Sequence, residues 1–165
     1  MEFYFVDKNY VDFLQKVETK KRGFTKVPYI SYESRDKFIF GVVLKVNQFN
    51  YYVSLSSFKV KQDANILIEV ETDAKKIKGS LRFNYMFPVP EKCLTKIVIR
   101  DIKDRKYRNL LNKEFKFCID NIEKIQQKAE QIYKLVTQNK RRVLVQNSCD
   151  FKTLESAYLE YITKT

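Results

Sequence analysis

Three features of this sequence predict an α+β fold: a twisted antiparallel sheet with helices packed on it. Short apolar runs fill the first two thirds of the chain. Only a few polar or turn-forming residues separate some of them, as hairpins require. After Asp104 the apolar positions recur at alternating steps of four and three, which is a helical period. A chain that runs strands first and helices afterwards belongs to the α+β class. Its 165 residues are expected to form one domain with its own core, residues 1–165.

The elements follow in order. Glu2–Val6 reads as a strand. Asp7 then caps a helix to about Thr19, with Val6 and Val11 at the staple positions and Tyr10, Phe13, Leu14 and Val17 as its apolar stripe. Residues Phe24–Asp36, with Pro28, read as a loop. Phe38–Val46 and Tyr51–Leu55 are strands joined by a hairpin at Asn47–Asn50. Ile66–Glu71 is a further strand, and Lys75–Gly79 a basic turn. Leu81–Val89 and Leu94–Ile99 are two more strands. Leu111, Phe115, Cys118, Ile122, Ile125, Ala129, Ile132 and Val136 form one helical seam. As a single helix it would be roughly 50 Å long, too long for a compact domain of this size, so a break or bend near Asp120-Asn121 is expected. Ser148-Cys149-Asp150-Phe151 opens a last helix with Leu154, Tyr158 and Ile162 facing inward.

Composition narrows the function. The 32 Lys+Arg outnumber the 20 Asp+Glu, for a formal net charge of +12, which points to a polyanionic partner. Eleven Tyr and 13 Phe fill the core and also suit a surface that stacks bases. With no histidine and no Cys-x-x-Cys spacing, a zinc site is not expected. Cys93, Cys118 and Cys149 read as free buried thiols of a reducing cytosol. The N-terminus lacks the pattern of a signal peptide, and no stretch has the length of a transmembrane helix, so no membrane partner is expected.

The missing histidines also remove imidazole acid–base catalysis. No dense carboxylate cluster suggests two-metal chemistry, and there is no Gly-rich phosphate loop. Ser56-Ser57-Phe58-Lys59 matches the Ser-x-x-Lys of penicillin-recognising enzymes, but their Ser-Asp-Asn and Lys-Thr-Gly partners are absent and the segment ends a strand instead of opening a helix. What stands out is the density of hydroxyls and ammonium groups over Ser54–Lys61, at the end of an apolar strand. Such groups can serve RNA cleavage, because RNA carries its own 2′-OH nucleophile. Fixed cations and hydroxyl donors then stabilise the phosphorane. A Ser-rich turn with solvated lysines accounts for the same residues without chemistry. A basic RNA-binding module without catalysis is the main alternative. A membrane-surface or partner-binding protein is the third reading, disfavoured by the narrow seam at 111–136.

Several segments resemble the ToxN/AbiQ/CptN family of endoribonuclease toxins from type III toxin–antitoxin systems. They are Phe3-Tyr4-Phe5 with Tyr10; Phe40–Leu44 with Tyr51–Lys59; Phe83–Pro90 with its Met86 and Pro88; Tyr107–Leu111; and Ser148–Phe151. The resemblance implies a compact, MazF/Kid-like toxin fold in the bacterial cytosol. It implies metal-independent cleavage without a cofactor, leaving 2′,3′-cyclic phosphate and 5′-OH ends on cellular and phage RNA during abortive infection or stress. It also implies inhibition by a small antitoxin RNA of pseudoknot repeats in a closed protein–RNA assembly. The family's reactive cluster falls on Ser56, Ser57 and Lys59. A lysine four residues before the strand glycine falls on Lys37, and a tyrosine on Tyr32, with Tyr29 as the alternative. From this cluster Ser57 is expected to orient the 2′-OH or the phosphate, with Ser56 as its buttress. Lys59 and Lys37 would stabilise the phosphorane, and Tyr32 would position or protonate. Lys20, Lys21, Arg22, Lys61, Lys103, Arg105, Lys106, Arg108, Lys140, Arg141 and Arg142 are expected to line part of an RNA groove. The three at the end of the first helix also suit its dipole, and the two uses are compatible.

Overall fold

The computed structural model describes residues 1–30, 36–71 and 76–165. Its strands are β1 (Glu2–Val6), β2 (Ile39–Val46), β3 (Phe49–Ser56), β4 (Asn65–Glu71), β5 (Lys76–Arg82), β6 (Phe87–Pro88) and β7 (Leu94–Lys96). The helices are α1 (Lys8–Arg22), α2 (Arg105–Asp120), α3 (Ile122–Thr137), α4 (Arg142–Gln146) and α5 (Phe151–Lys164). The paired strands are antiparallel, in the order β4-β5-β3-β2-β1-β7, with β6 added to β3. The architecture is therefore the expected α+β one: an open antiparallel sheet with helices.

The apolar pattern explains most of this. Asp7 caps α1 by accepting from the Asn9 and Tyr10 N–H groups, and Tyr10, Val11 and Leu14 are buried. The long seam does break where expected. Asn121 separates α2 from α3, and its amide donates to the Phe117 carbonyl at 2.8 Å. The two helices pack their seam onto the sheet. The Phe115 ring meets Phe3 at 5.3 Å, and Tyr133 meets Tyr51 at 5.6 Å. At position 41 the Gly is required by close approach, since a Cβ there would lie 2.4 Å from the Tyr52 ring.

Several expectations need correction. The basic turn at Lys75–Gly79 is largely strand: Lys76–Arg82 is β5, and Lys75 lies outside the described residues. Lys and Gly have low strand propensity, but cross-strand pairing with β4 overrides it. Lys76 sits opposite Glu71, and its ammonium is 2.8 Å from Glu69. The Leu81–Val89 run is interrupted by a 3₁₀ turn at Phe83–Tyr85, because the Asn84 amide and carbonyl bond out of the sheet to Asn147 and Cys149. Of Leu94–Ile99 only Leu94–Lys96 is strand. Helix α1 runs to Arg22, three residues past its expected end, and α4 was not anticipated. In α5 the inner face is Phe151, Leu154 and Ala157, with Tyr158 and Ile162 half-buried.

Two buried carboxylates tie the layers. Glu18 accepts the Lys26 N–H at 2.5 Å and the Asp150 N–H at 2.9 Å, and lies 3.5 Å from the Arg22 guanidinium. Glu155 accepts from the hydroxyls of Tyr51 at 2.8 Å and Tyr133 at 2.7 Å. No helix among the described residues is long and apolar enough to cross a membrane.

Removing Glu18 would leave two backbone donors without their acceptor and the largely buried Arg22 guanidinium without its counter-charge. Glu18→Ala is therefore expected to lower stability by about 3–5 kcal/mol, measured as a drop in the urea midpoint.

Candidate active site

Strand β3 lies inside the sheet and delivers the hydroxyl cluster at its C-terminal end. On one side the pairing with β2 reaches Ile39 opposite Ser54, and Lys37 lies two residues before the start of β2. On the other side Ser56 pairs with Ser80 of β5. Gly79 must be glycine for the same contact, because a Cβ there would stand 2.8 Å from the Ser56 carbonyl oxygen. The chain then leaves the sheet through a side-chain turn in which the Ser56 hydroxyl accepts the Phe58 N–H at 3.1 Å.

Ser56 is half-buried, whereas Ser57 and Lys59 are exposed. Lys37 is half-buried, and its N–H donates to the Ile30 carbonyl at 2.6 Å, which places the segment carrying Tyr29 beside it. Tyr29 itself is 66 % exposed. Tyr32 lies outside the described residues. The structure thus brings Ser56 and Ser57 together at one cleft, with Lys59 two residues on and Lys37 two residues before β2.

Sequence reasoning did not find two neighbours of this rim. Arg82 lies sandwiched between the rings of Phe58 at 4.3 Å and Tyr85 at 4.4 Å, bracing the turn that carries Ser57 and Lys59. Its Nε and the Ser80 hydroxyl oxygen are buried without a hydrogen-bond partner among the described residues. The second neighbour is a cleft of about 260 Å³ beside Ser56 and Ser57, walled by β4, β5 and α2, where Glu114 supplies the carboxyl. Burial pushes Glu114 up to about 7. A lone acid on a helix gives no sequence signal, since only the tertiary fold desolvates it.

The basic groups divide. Arg22 is committed to the fold: it donates to the Ser148 carbonyl at 2.7 Å and to those of Val145 and Gln146 at 3.3 Å. Lys21 donates to the Thr153 hydroxyl at 2.7 Å, Arg108 to the Ile102 carbonyl at 2.8 Å, and Arg141 pairs with Asp63 at 3.0 Å. Lys20, Lys103, Arg105, Lys106, Lys140 and Arg142 are exposed. Lys61 donates to the Asn65 carbonyl and lines a groove of about 740 Å³ between β4 and the α2–α3 junction, with Lys124 and Lys128, two cations the sequence pattern did not single out.

A family model for the toxin ToxN of type III toxin–antitoxin systems matches residues 2–159. The chain belongs to the ToxN family. It is 32% identical over 172 residues to the endoribonuclease ToxN of Bacillus thuringiensis subsp. kurstaki, covering 97% of this chain and 84% of that one. It is 30% identical to the endoribonuclease AbiQ of Lactococcus lactis subsp. lactis, covering all of this chain and 91% of the relative. A solved type III toxin that is selectively inhibited by a non-coding RNA pseudoknot superposes with a TM-score of 0.83 at 31% identity, over 97% of this chain and 96% of the other. The Ser56–Ser57 rim therefore belongs to a ToxN-family chain.

Glu114 makes a pH prediction. Its folded pKa lies above the ordinary carboxylate value of 4.5, so the folded form holds its proton more tightly than the unfolded one. The resulting penalty is absent at pH 4, grows between 4.5 and 7, and is fully present above 7. Glu114→Gln should thus stabilise the protein at pH 8 by about 2 kcal/mol after discount for partial exposure, with no gain at pH 4. Thermal unfolding at the two pH values checks this.

Proposed function

We propose that this chain is a metal-independent endoribonuclease that makes the RNA 2′-oxygen attack the adjacent phosphate. The observation that supports the reading is the exit of β3 from the sheet: Ser56 and Ser57 line one cleft there, Lys59 follows two residues on, and Lys37 lies two residues before β2, whose Ile39 pairs with Ser54. Ser57, exposed, orients the 2′-OH or the scissile phosphate. Ser56 holds the turn through its bond to Phe58 N–H. The two lysines face the charge that builds on the phosphorane, and fixed cations at that point act by preorganisation. As the 2′-O–P bond forms and the P–O5′ bond breaks, the 2′-proton leaves and the 5′-oxygen gains one, giving a 2′,3′-cyclic phosphate and a 5′-OH. One of the lysines exchanges a proton, and Tyr32 positions or protonates.

The names of the relatives support the activity, since both curated ones are endoribonucleases. A lactococcal neighbour in structure, AbiQ, is an anti-phage endoribonuclease of this toxin–antitoxin type, at a TM-score of 0.82 over 98% of both chains. By the same support, this chain acts on cellular and phage RNA and is held inactive by a small pseudoknot RNA in a closed protein–RNA assembly. Residues 1–165 act as one toxin domain in the bacterial cytosol, and the likeness to MazF/Kid toxins is part of the same proposal. The exposed cations and the groove lined by Lys61, Lys124 and Lys128 would carry the RNA backbone.

Purified protein in chelator should cut RNA to cyclic-phosphate ends, with Ser57→Ala and Lys59→Ala each slowed by about 10²-fold or more. Full activity in both variants would remove this rim from the mechanism, and binding without cleavage by the wild type would leave an RNA-binding module. Affinity for the antitoxin RNA should fall by orders of magnitude between 50 and 200 mM salt if about six or more phosphates are contacted. Filter binding across a salt series measures it.

A further inference from the structure

We propose that the cleft beside Ser57 is a nucleobase subsite, in which a base flanking the scissile phosphate is stacked by Tyr107 and read at its amino edge by Glu114. The proposal rests on the reading of Ser57 as part of an RNA-cleaving site, and adds to it what that site recognises.

Position comes first. Ser56 and Ser57 line the cleft, and Ser57 is exposed at its rim, so a ligand filling the cleft is continuous with a ribose and phosphate lying at the serine. Size comes second. About 260 Å³ is slightly below the ~300–1,000 Å³ of drug-sized sites and suits one planar ring system.

The walls decide the chemistry. Phe38, Leu55, Ile68, Val70 and Leu111 present apolar surface, and Tyr107 adds an aromatic face. A phosphate or a sugar would lose its hydration against these side chains without replacement. Among the described lining residues none is a cation, in contrast to the groove lined by Lys61, Lys124 and Lys128. A flat group with apolar faces therefore fits better than backbone. Its polar edge must then answer Glu114, the sole carboxyl among the described lining residues, which has no hydrogen bond or ion pair to any of them. An ionised carboxylate only accepts, so the ligand must bring N–H donors. Adenine, cytosine and guanine each carry an exocyclic amine, and a carboxylate accepting from such an amine is an established base contact. Uracil offers one N–H flanked by two carbonyl oxygens, which face the carboxylate unfavourably. The desolvation that raises Glu114 is what a carboxyl experiences in a pocket whose donors arrive with the ligand.

The test uses the full-length protein and a randomised RNA pool, with the cut ends sequenced. The wild type should disfavour uracil by about tenfold at one position next to the cut, and Glu114→Gln should erase that preference while still cutting. Tyr107→Leu should raise KM for a short cleaved oligonucleotide far more than it lowers kcat. An unchanged cut profile in a folded Glu114→Gln protein overturns the subsite. So does a profile left intact while kcat falls and the acid limb of the pH–rate curve disappears, which would make Glu114 a proton carrier instead. A separate measurement does not depend on cleavage: fluorescence titration of the Ser57→Ala protein with cytidine- and uridine-containing dinucleotides. Tighter cytidine binding that Glu114→Gln abolishes supports the subsite, and equal binding overturns it. If the wild type cuts no RNA while this titration still discriminates, the cleavage reading fails and the subsite stands.

Discussion

The end of β3 governs the rest of this molecule. Ser56 pairs with Ser80 of β5, two residues beyond the point where Ile39 of β2 meets Ser54, and its carbonyl leaves no room for a side chain at Gly79. A hydroxyl mounted on a paired strand is held in place, and catalytic groups need placement to within about 0.5 Å. The turn after Ser56 is similarly constrained. The Ser56 hydroxyl holds Phe58 by its N–H, and the Phe58 ring rests on the Arg82 guanidinium, itself resting on Tyr85. Ser57 and Lys59 ride on this braced turn while keeping their own side chains in solvent.

Charge is distributed by the same logic. A chain with a net charge of +12 must separate the cations that build it from those that bind. Arg22 is the clearest builder, since a guanidinium can satisfy several carbonyls at once and the α4–α5 turn presents three. Its partner Glu18 is fully buried and depends on it. Lys61 and Lys128 hold the Asn65 and Asp63 carbonyls and, with Lys124, line a wide groove beside the helix junction. The break at Asn121 matters here, because the α2–α3 junction forms one wall of that groove.

The two recesses have opposite chemistry, and that is informative about a nucleic-acid ligand. One is wide and lined with cations and amides, as a phosphate backbone requires. The other is small and apolar with a single carboxyl, and it opens beside the serine hydroxyls. Backbone neutralisation and base reading are separate tasks, and they call for recesses of these two different kinds.

Local pattern determined the α+β class, α1 with its Asp7 cap and the β2–β3 hairpin, and the break in the long seam followed from a helix too long for a domain of this size. The resemblance of short segments to a known family singled out Ser56, Ser57, Lys59 and Lys37 as the candidate cluster. Local pattern failed at β5, where Lys76 and Gly79 have poor strand propensity and only the pairing with β4 makes a strand of them. At Arg22, the last residue of α1, it left two uses open, since that position looks the same whether the guanidinium meets RNA or the chain's own carbonyls. Glu114 and Arg82 acquired part of their surroundings from residues distant in sequence, Ser57 for one and Phe58 for the other. Desolvation and stacking are properties of a packed interior, so tertiary structure alone decided them.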